Sequence, residues 1–158
     1  MVYLASEESG PSVDKLVEGW TQFAEEMRVN GGFDWFITLT FNDDVTPDKA
    51  KKELSRWVDR INRNSHGKRW RNGGTGVTGI CALAFPDVKY GTHIHGLLGG
   101  TEPHLRRRYE EEWKQRNGWA RIRVYDDDKG RGAIRYICRH LNFGAEMLAL
   151  SPTESLIH

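Results

Sequence analysis

Two histidines separated by one apolar residue, His93-Ile94-His95, sit inside the short run Thr92 to Leu98. Successive side chains of a strand point to opposite faces, so both imidazoles project from one side while Ile94 turns into the core. Paired neutral imidazoles are half of a divalent-metal site, suited to ions from Mn²⁺ to Zn²⁺, and the remaining ligands must come from elsewhere. A second grouping lies in Ala133 to Leu141. At helical spacing, Ile134, Ile137, Cys138 and Leu141 form an apolar stripe, and Tyr136, Arg139 and His140 fall together on its flank. A phenol, a permanent cation and an imidazole then share one patch.

These groups need elements to hold them. Ser12 caps a helix whose apolar residues, Val13, Leu16, Val17, Trp20, Phe23, Ala24 and Met27, recur until Asn30-Gly31-Gly32. Phe33 to Phe41 is aromatic and β-branched, hence a first strand. Thr46-Pro47 opens a second helix with the stripe Ala50, Leu54, Trp57, Val58 and Ile61. Asn62 to Gly76 is polar, glycine-rich and basic, and is expected to be a loop. Val77 to Phe85 and Thr92 to Leu98 bracket Pro86 to Gly91 as an antiparallel hairpin. A third helix follows Thr101-Glu102-Pro103, Trp119 to Tyr125 alternates as a fourth strand, and a fourth helix spans 132–142. Between the first and last helices the order is β-α-β-β-α-β. The expected fold is α+β, a ferredoxin-like antiparallel sheet with helices on one face, an added N-terminal helix and a C-terminal helix carrying Tyr136. Residues 1–11 are expected to be a flexible lead-in, 12–143 one domain and 144–158 a tail.

The chain of 158 residues is long enough for one self-sufficient core. Lys and Arg number 23 against 22 acidic residues, so the net charge of +1 leaves local clusters to decide nucleic-acid binding. Cys81 and Cys138 stand in apolar stretches without CxxC spacing and read as reduced core residues in a cytoplasmic protein. No apolar run approaches the roughly 18 residues of a membrane span, and no signal-peptide layout is present.

An apolar strand with alternating threonines (Phe36 to Phe41), then His93-Ile94-His95, then Tyr136-Ile137-Cys138-Arg139 on a helix, occur in one order. Together they resemble the HUH single-strand DNA endonucleases, in particular the single-tyrosine initiators of rolling-circle replication in plasmids, phages and small DNA viruses. The likeness spans roughly residues 33–142. It implies that His93 and His95 hold a divalent ion, Mn²⁺ or Mg²⁺, and that Tyr136 attacks a phosphodiester to leave a 3′-hydroxyl and a 5′-phosphotyrosine. A metal on the scissile phosphate would offset the poor nucleophilicity of a phenol at neutral pH. Where the family usually has lysine, three residues after the tyrosine, this chain has Arg139, which clamps a phosphate but carries no transferable proton. Many relatives place a carboxylate on the strand beside the histidines. Here the expected neighbours are Ala82 and Ala84, so the third ligand is expected from His140, a position from which other members supply one, or else from Asp87. The implied partner is single-stranded DNA or a DNA hairpin at a replication origin, with any helicase a separate protein.

Substrate contacts are expected from Lys68-Arg69-Trp70-Arg71, which interleaves cations with an indole, and from Arg121, Arg123, Arg131 and Arg135. Arg106 to Arg108, followed closely by Glu110 to Glu112, read as a solvated, internally paired face. The rival readings are a non-catalytic or inactivated single-strand binder using Trp35, Phe36 and Phe41, a transposase of the same superfamily, and a metal-dependent hydrolase of another class. Metal-dependent cleavage separates enzyme from binder.

Overall fold

The Ser12 hydroxyl accepts the Lys15 N–H at 3.3 Å and starts helix α1 (Val13–Asn30), which ends where the Gly31 N–H reaches the Met27 carbonyl. The computed structural model to which these contacts belong describes residues 10–85, 91–128, 130–152 and 154–157, without the side chains of 72, 130, 131 and 154–157. The lead-in before Gly10 lies outside the described residues. Helix α2 (Pro47–His66) begins behind Thr46, whose hydroxyl accepts the Lys49 N–H, and its whole predicted stripe is buried. A single turn, α3 (Trp70–Gly73), follows. Helix α4 (Arg106–Arg116) is entered through a 3₁₀ turn at Pro103–Leu105. Helix α5 (Gly130–Cys138) tightens into a 3₁₀ segment, Arg139–Phe143, and stops at Gly144 in the left-handed region.

The strands are β1 (Trp35–Thr40), β2 (Thr78–Ala84), β3 (His93–Gly99), β4 (Ala120–Val124), β5 (Glu146–Ser151) and β6 (Glu154–Ile157). They form one antiparallel sheet in the order β4-β1-β3-β2-β5-β6. Its first four members carry the expected ferredoxin-like α+β arrangement. The expected tail is instead part of this sheet. Met147 to Leu150 is a short apolar run between Gly144 and Pro152, and it is buried on both faces as β5 against β2, so it shows no alternation to mark it.

The sheet is covered on both faces rather than one. Trp35, Ile37, Leu39, Ile94 and Leu98 pack with Leu54 and Trp57 of α2 and Tyr109 and Trp113 of α4. Ile80, Ala82 and Leu97 face the other way, against Ala24 of α1 and Ile134, Ile137 and Cys138 of α5. The helices outside the β-α-β-β-α-β unit thus supply the second layer, and the histidines of β3 lie beneath it. The expected long loop after Ile61 is also mostly helix. Asn62 is buried there because its Oδ1 accepts the Val77 N–H at 2.7 Å, a contact that polarity alone does not announce. Both cysteines are free and buried. Among the described residues, no helix is long and apolar enough to cross a membrane.

Candidate metal centre and nucleophile

Strand register builds the site floor. Across the sheet, Arg121 of β4 lies beside Thr38 of β1, Thr38 beside His95, and His95 beside Ala82 of β2. One step along, Thr40, His93 and Ala84 form the parallel row. The alanines are the expected neighbours and offer no ligand atom. Their small side chains also leave the space above His95 to whatever α5 brings down, because Ala82 packs in the same cluster as Ile137 and Cys138.

What α5 brings down is His140. The ligand nitrogens of His93, His95 and His140 all lie within 4.8 Å of one another. The rings of His93 and His95 are 5.0 Å apart at an angle of 83°, and those of His95 and His140 are 4.7 Å apart. His140 is held by the 3₁₀ tightening of its helix: its Nδ1 reaches the carbonyls of Tyr136 at 2.9 Å and Ile137 at 3.2 Å. His93 Nδ1 similarly reaches the Gly91 carbonyl at 2.8 Å. A carbonyl can only accept, so Nδ1 carries the proton in both rings, and the lone pair of each neutral imidazole sits on Nε2. Backbone acceptors on the far nitrogen are the usual means of orienting a metal-binding histidine. His95 Nδ1 lies 3.4 Å from the Thr38 hydroxyl. Burial, reinforced by His140 and then His93, pushes the His95 imidazole down to about 4, so it is neutral and able to bind metal at neutral pH. The donor set therefore fits a divalent ion on three imidazoles, and His140 rather than a strand carboxylate completes the cluster.

Tyr136 stands at the edge of this cluster. Its ring centroid is 5.0 Å from that of His140 and 5.6 Å from that of His95, with Phe36 at 6.1 Å on the far side. Ile134 and Ile137 are fully buried beneath the helix, and Tyr136 is left 49% exposed. Tyr136, Arg139, His140, Gly132 and Phe143 line a cleft of about 420 Å³. A second cleft of about 400 Å³, lined by Phe36, Thr38, Arg123 and Tyr136, opens on the β4 side.

The chain matches no known family model, no curated protein and no solved structure.

The predicted substrate contacts divide. Arg121 and Arg123 are exposed on the histidine face, opposite Thr38 and Phe36, and Arg135 on α5 and Arg139 just beyond its end are also exposed. None of these four makes an ion pair or side-chain hydrogen bond among the described residues. Lys68-Arg69-Trp70-Arg71 does not join them. His66 Nε2 donates to the Gly100 carbonyl at 2.8 Å, which ties this stretch to the end of β3. That point is seven residues from His93, or about 23 Å at strand rise. Trp70 is only 5% exposed and has no face to offer a base. Arg71 lies over its ring and reaches Asp59 at 3.3 Å. Composition identified cations beside an indole, but gave no sign of which end of the sheet they would occupy. Asp87 and the Arg131 side chain lie outside the described residues.

Trp35 is fully buried on the opposite face and Phe41 packs edge-on against Trp113 there, so of these three aromatics Phe36 is the one that lies beside Tyr136. Tyr109 is also fully buried, and Tyr125 nearly so. The pairing expected within α4 between Arg106 to Arg108 and Glu110 to Glu112 does not form among the described residues: Glu112 pairs with Arg60 of α2, Glu111 with Lys114, and Glu110 accepts the Ile122 N–H at 2.7 Å. The residues missed by sequence reasoning are Thr38 and Phe36 in their roles beside His95 and Tyr136. Their signal was the alternation of β1, which puts them on the face that carries the histidines.

Proposed function

We propose that this chain is a metal-dependent single-strand DNA endonuclease of the HUH type, which nicks and joins DNA through Tyr136 to initiate rolling-circle replication. The observation that carries the reading is the packing of one half-exposed tyrosine against two members of a three-histidine cluster. His93, His95 and His140 would hold the ion, either Mn²⁺ or Mg²⁺, whose chemical contribution when bound is to offset phosphate charge and polarise the scissile linkage. The protein's own groups do the rest. Tyr136 Oη forms a bond to phosphorus, the bond from phosphorus to O3′ breaks, and its electron pair leaves on O3′. That oxygen gains a proton to become a hydroxyl, while the phenol proton is lost to solvent. Arg139, in the same cleft as Tyr136 and His140, clamps non-bridging phosphate oxygens in bidentate fashion and moves no proton. Arg121 and Arg123 carry the strand along the sheet edge, and Phe36 offers an aromatic surface beside the nucleophile. The expected substrate is single-stranded DNA or the unpaired part of a hairpin at an origin, in the cytoplasm of the cell or host, with unwinding left to a separate helicase.

Pooled single-stranded oligonucleotides with Mn²⁺ are expected to give shorter products whose 3′ ends a polymerase can extend. Chelation, or the double substitution His93→Ala with His95→Ala, should remove them. Undiminished cleavage by the double variant would sink the reading.

A further inference from the structure

Arg139 lines two clefts at once. One is the cleft of Tyr136 and His140; the other, of about 380 Å³, runs between α1 and α5 and is bounded by Val17, Glu18, Thr21, Gln22, Arg135 and Arg139. The second cleft therefore adjoins that of the nucleophile, with the Arg139 guanidinium as their common wall. Clefts of roughly 300–1,000 Å³ are of the size that holds a small ligand, and a nucleotide is of that order. The cleft's two cations stand on α5 and on the 3₁₀ segment that continues it, and neither is committed to a partner among the described residues. Its α1 side is different in kind. Glu18 and Gln22 are one helical turn apart, exposed, and point at the same space. Thr21 is committed, since its hydroxyl donates to the Val17 carbonyl at 2.7 Å. A carboxylate is a poor neighbour for a phosphate but a good acceptor for the exocyclic amine of a base, and a glutamine amide matches the donor and acceptor pair on an adenine edge. In an unpaired strand those edges are free to be read.

We propose that this cleft receives the single-stranded DNA that flanks the nick, with Arg135 on its phosphates, Arg139 at its border with the scissile phosphate, and Glu18 and Gln22 reading a base. The assignment rests on the nicking reading above and extends it. The helix added outside the β-α-β-β-α-β unit becomes the sequence-reading wall of the site, and Glu18 and Gln22 become specificity residues that take no part in bond breaking.

The test is selection of a randomised single-stranded DNA library on the full-length protein in chelator, followed by sequencing of the bound pool and anisotropy titrations. The wild type should enrich one or two base positions. Gln22→Ala and Glu18→Gln should each change which base is enriched at one of them, with affinity for unselected DNA unchanged in the first and unchanged or higher in the second, which removes a negative charge. Arg135→Ala should weaken binding about tenfold and lower the salt slope by about 0.7 for the lost phosphate contact, while preserving the enriched bases. All three residues are exposed, so these substitutions leave the core intact. No enrichment by the wild type, or the same enrichment and affinity in all variants, would overturn the proposal. Selection needs neither metal nor cleavage, so it is readable even if no nicking occurs. Conversely, nicking with unchanged base enrichment in the variants would overturn this assignment alone.

Discussion

His95→Gln should make the metal-free protein less sensitive to acid. In the folded chain the His95 imidazole is pushed down to about 4, first by burial and then by His140 and His93, against about 6.5 in an unfolded chain. Above about pH 6.5 both states are neutral there, and the group has no effect. As pH falls from about 6.5 towards 4, the unfolded chain takes up a proton that the folded chain refuses, so folding stability is lost through that window. At about pH 4 the difference corresponds to about 3 kcal/mol, at 1.36 kcal/mol for each pH unit. The ring is only half-buried, and solvent screening reduces this to about 1.5 kcal/mol. For a chain of this length that is about 3–6 °C in melting temperature. Thermal unfolding by circular dichroism, in chelator at about pH 7 and about pH 4, should show the wild type losing that much more than His95→Gln. Equal losses would refute the argument that the sheet and the two neighbouring imidazoles hold His95 neutral.

Metal should stabilise the fold. At a Mn²⁺ concentration about a hundred times the dissociation constant, linkage adds about 2.7 kcal/mol, or about 5–10 °C; His140→Ala should abolish the rise, and an equal rise in that variant would exclude His140 as a ligand. Gly96→Ala should cost about 1–3 kcal/mol by urea titration, because its Cβ would lie 2.6 Å from Cys81 Sγ and 3.0 Å from the Ile80 carbonyl in the interior of the sheet. Unchanged stability would show that β3 can move away from β2 at no cost. Trp70→Ala should lose about 3 kcal/mol of stability and leave DNA affinity unchanged in titrations below the unfolding range; weakened DNA binding by a folded Trp70→Ala protein would restore its stretch to the interface.

Much of the candidate site was legible in the sequence. The two-residue period of β3 put His93 and His95 on one face, and the helical period of α5 put Tyr136, Arg139 and His140 on one flank; both survive folding because each rests on local geometry alone. The neighbours Ala82 and Ala84 followed from the hairpin register in the same way. Three things were less accessible. β5 is buried on both faces and lost the alternation that marks a strand. The second helical layer depends on where α1 docks, a tertiary choice that its amphipathic pattern leaves open. The basic stretch Lys68 to Arg71 looked like a nucleic-acid contact because charge and aromatic content survive in sequence, whereas burial of Trp70 and its distance from β3's histidines do not.

The central claim is that Tyr136 becomes joined to DNA. The direct measurement is peptide mapping by mass spectrometry after the protein is incubated with Mn²⁺ and an oligonucleotide it cleaves. The adduct should be a 5′-phosphotyrosine on the peptide containing Tyr136. It should vanish in Tyr136→Phe, which removes one oxygen from a half-exposed ring and should leave folding and Mn²⁺ binding intact. An adduct on any other residue, or one that persists in the phenylalanine variant, would contradict the account.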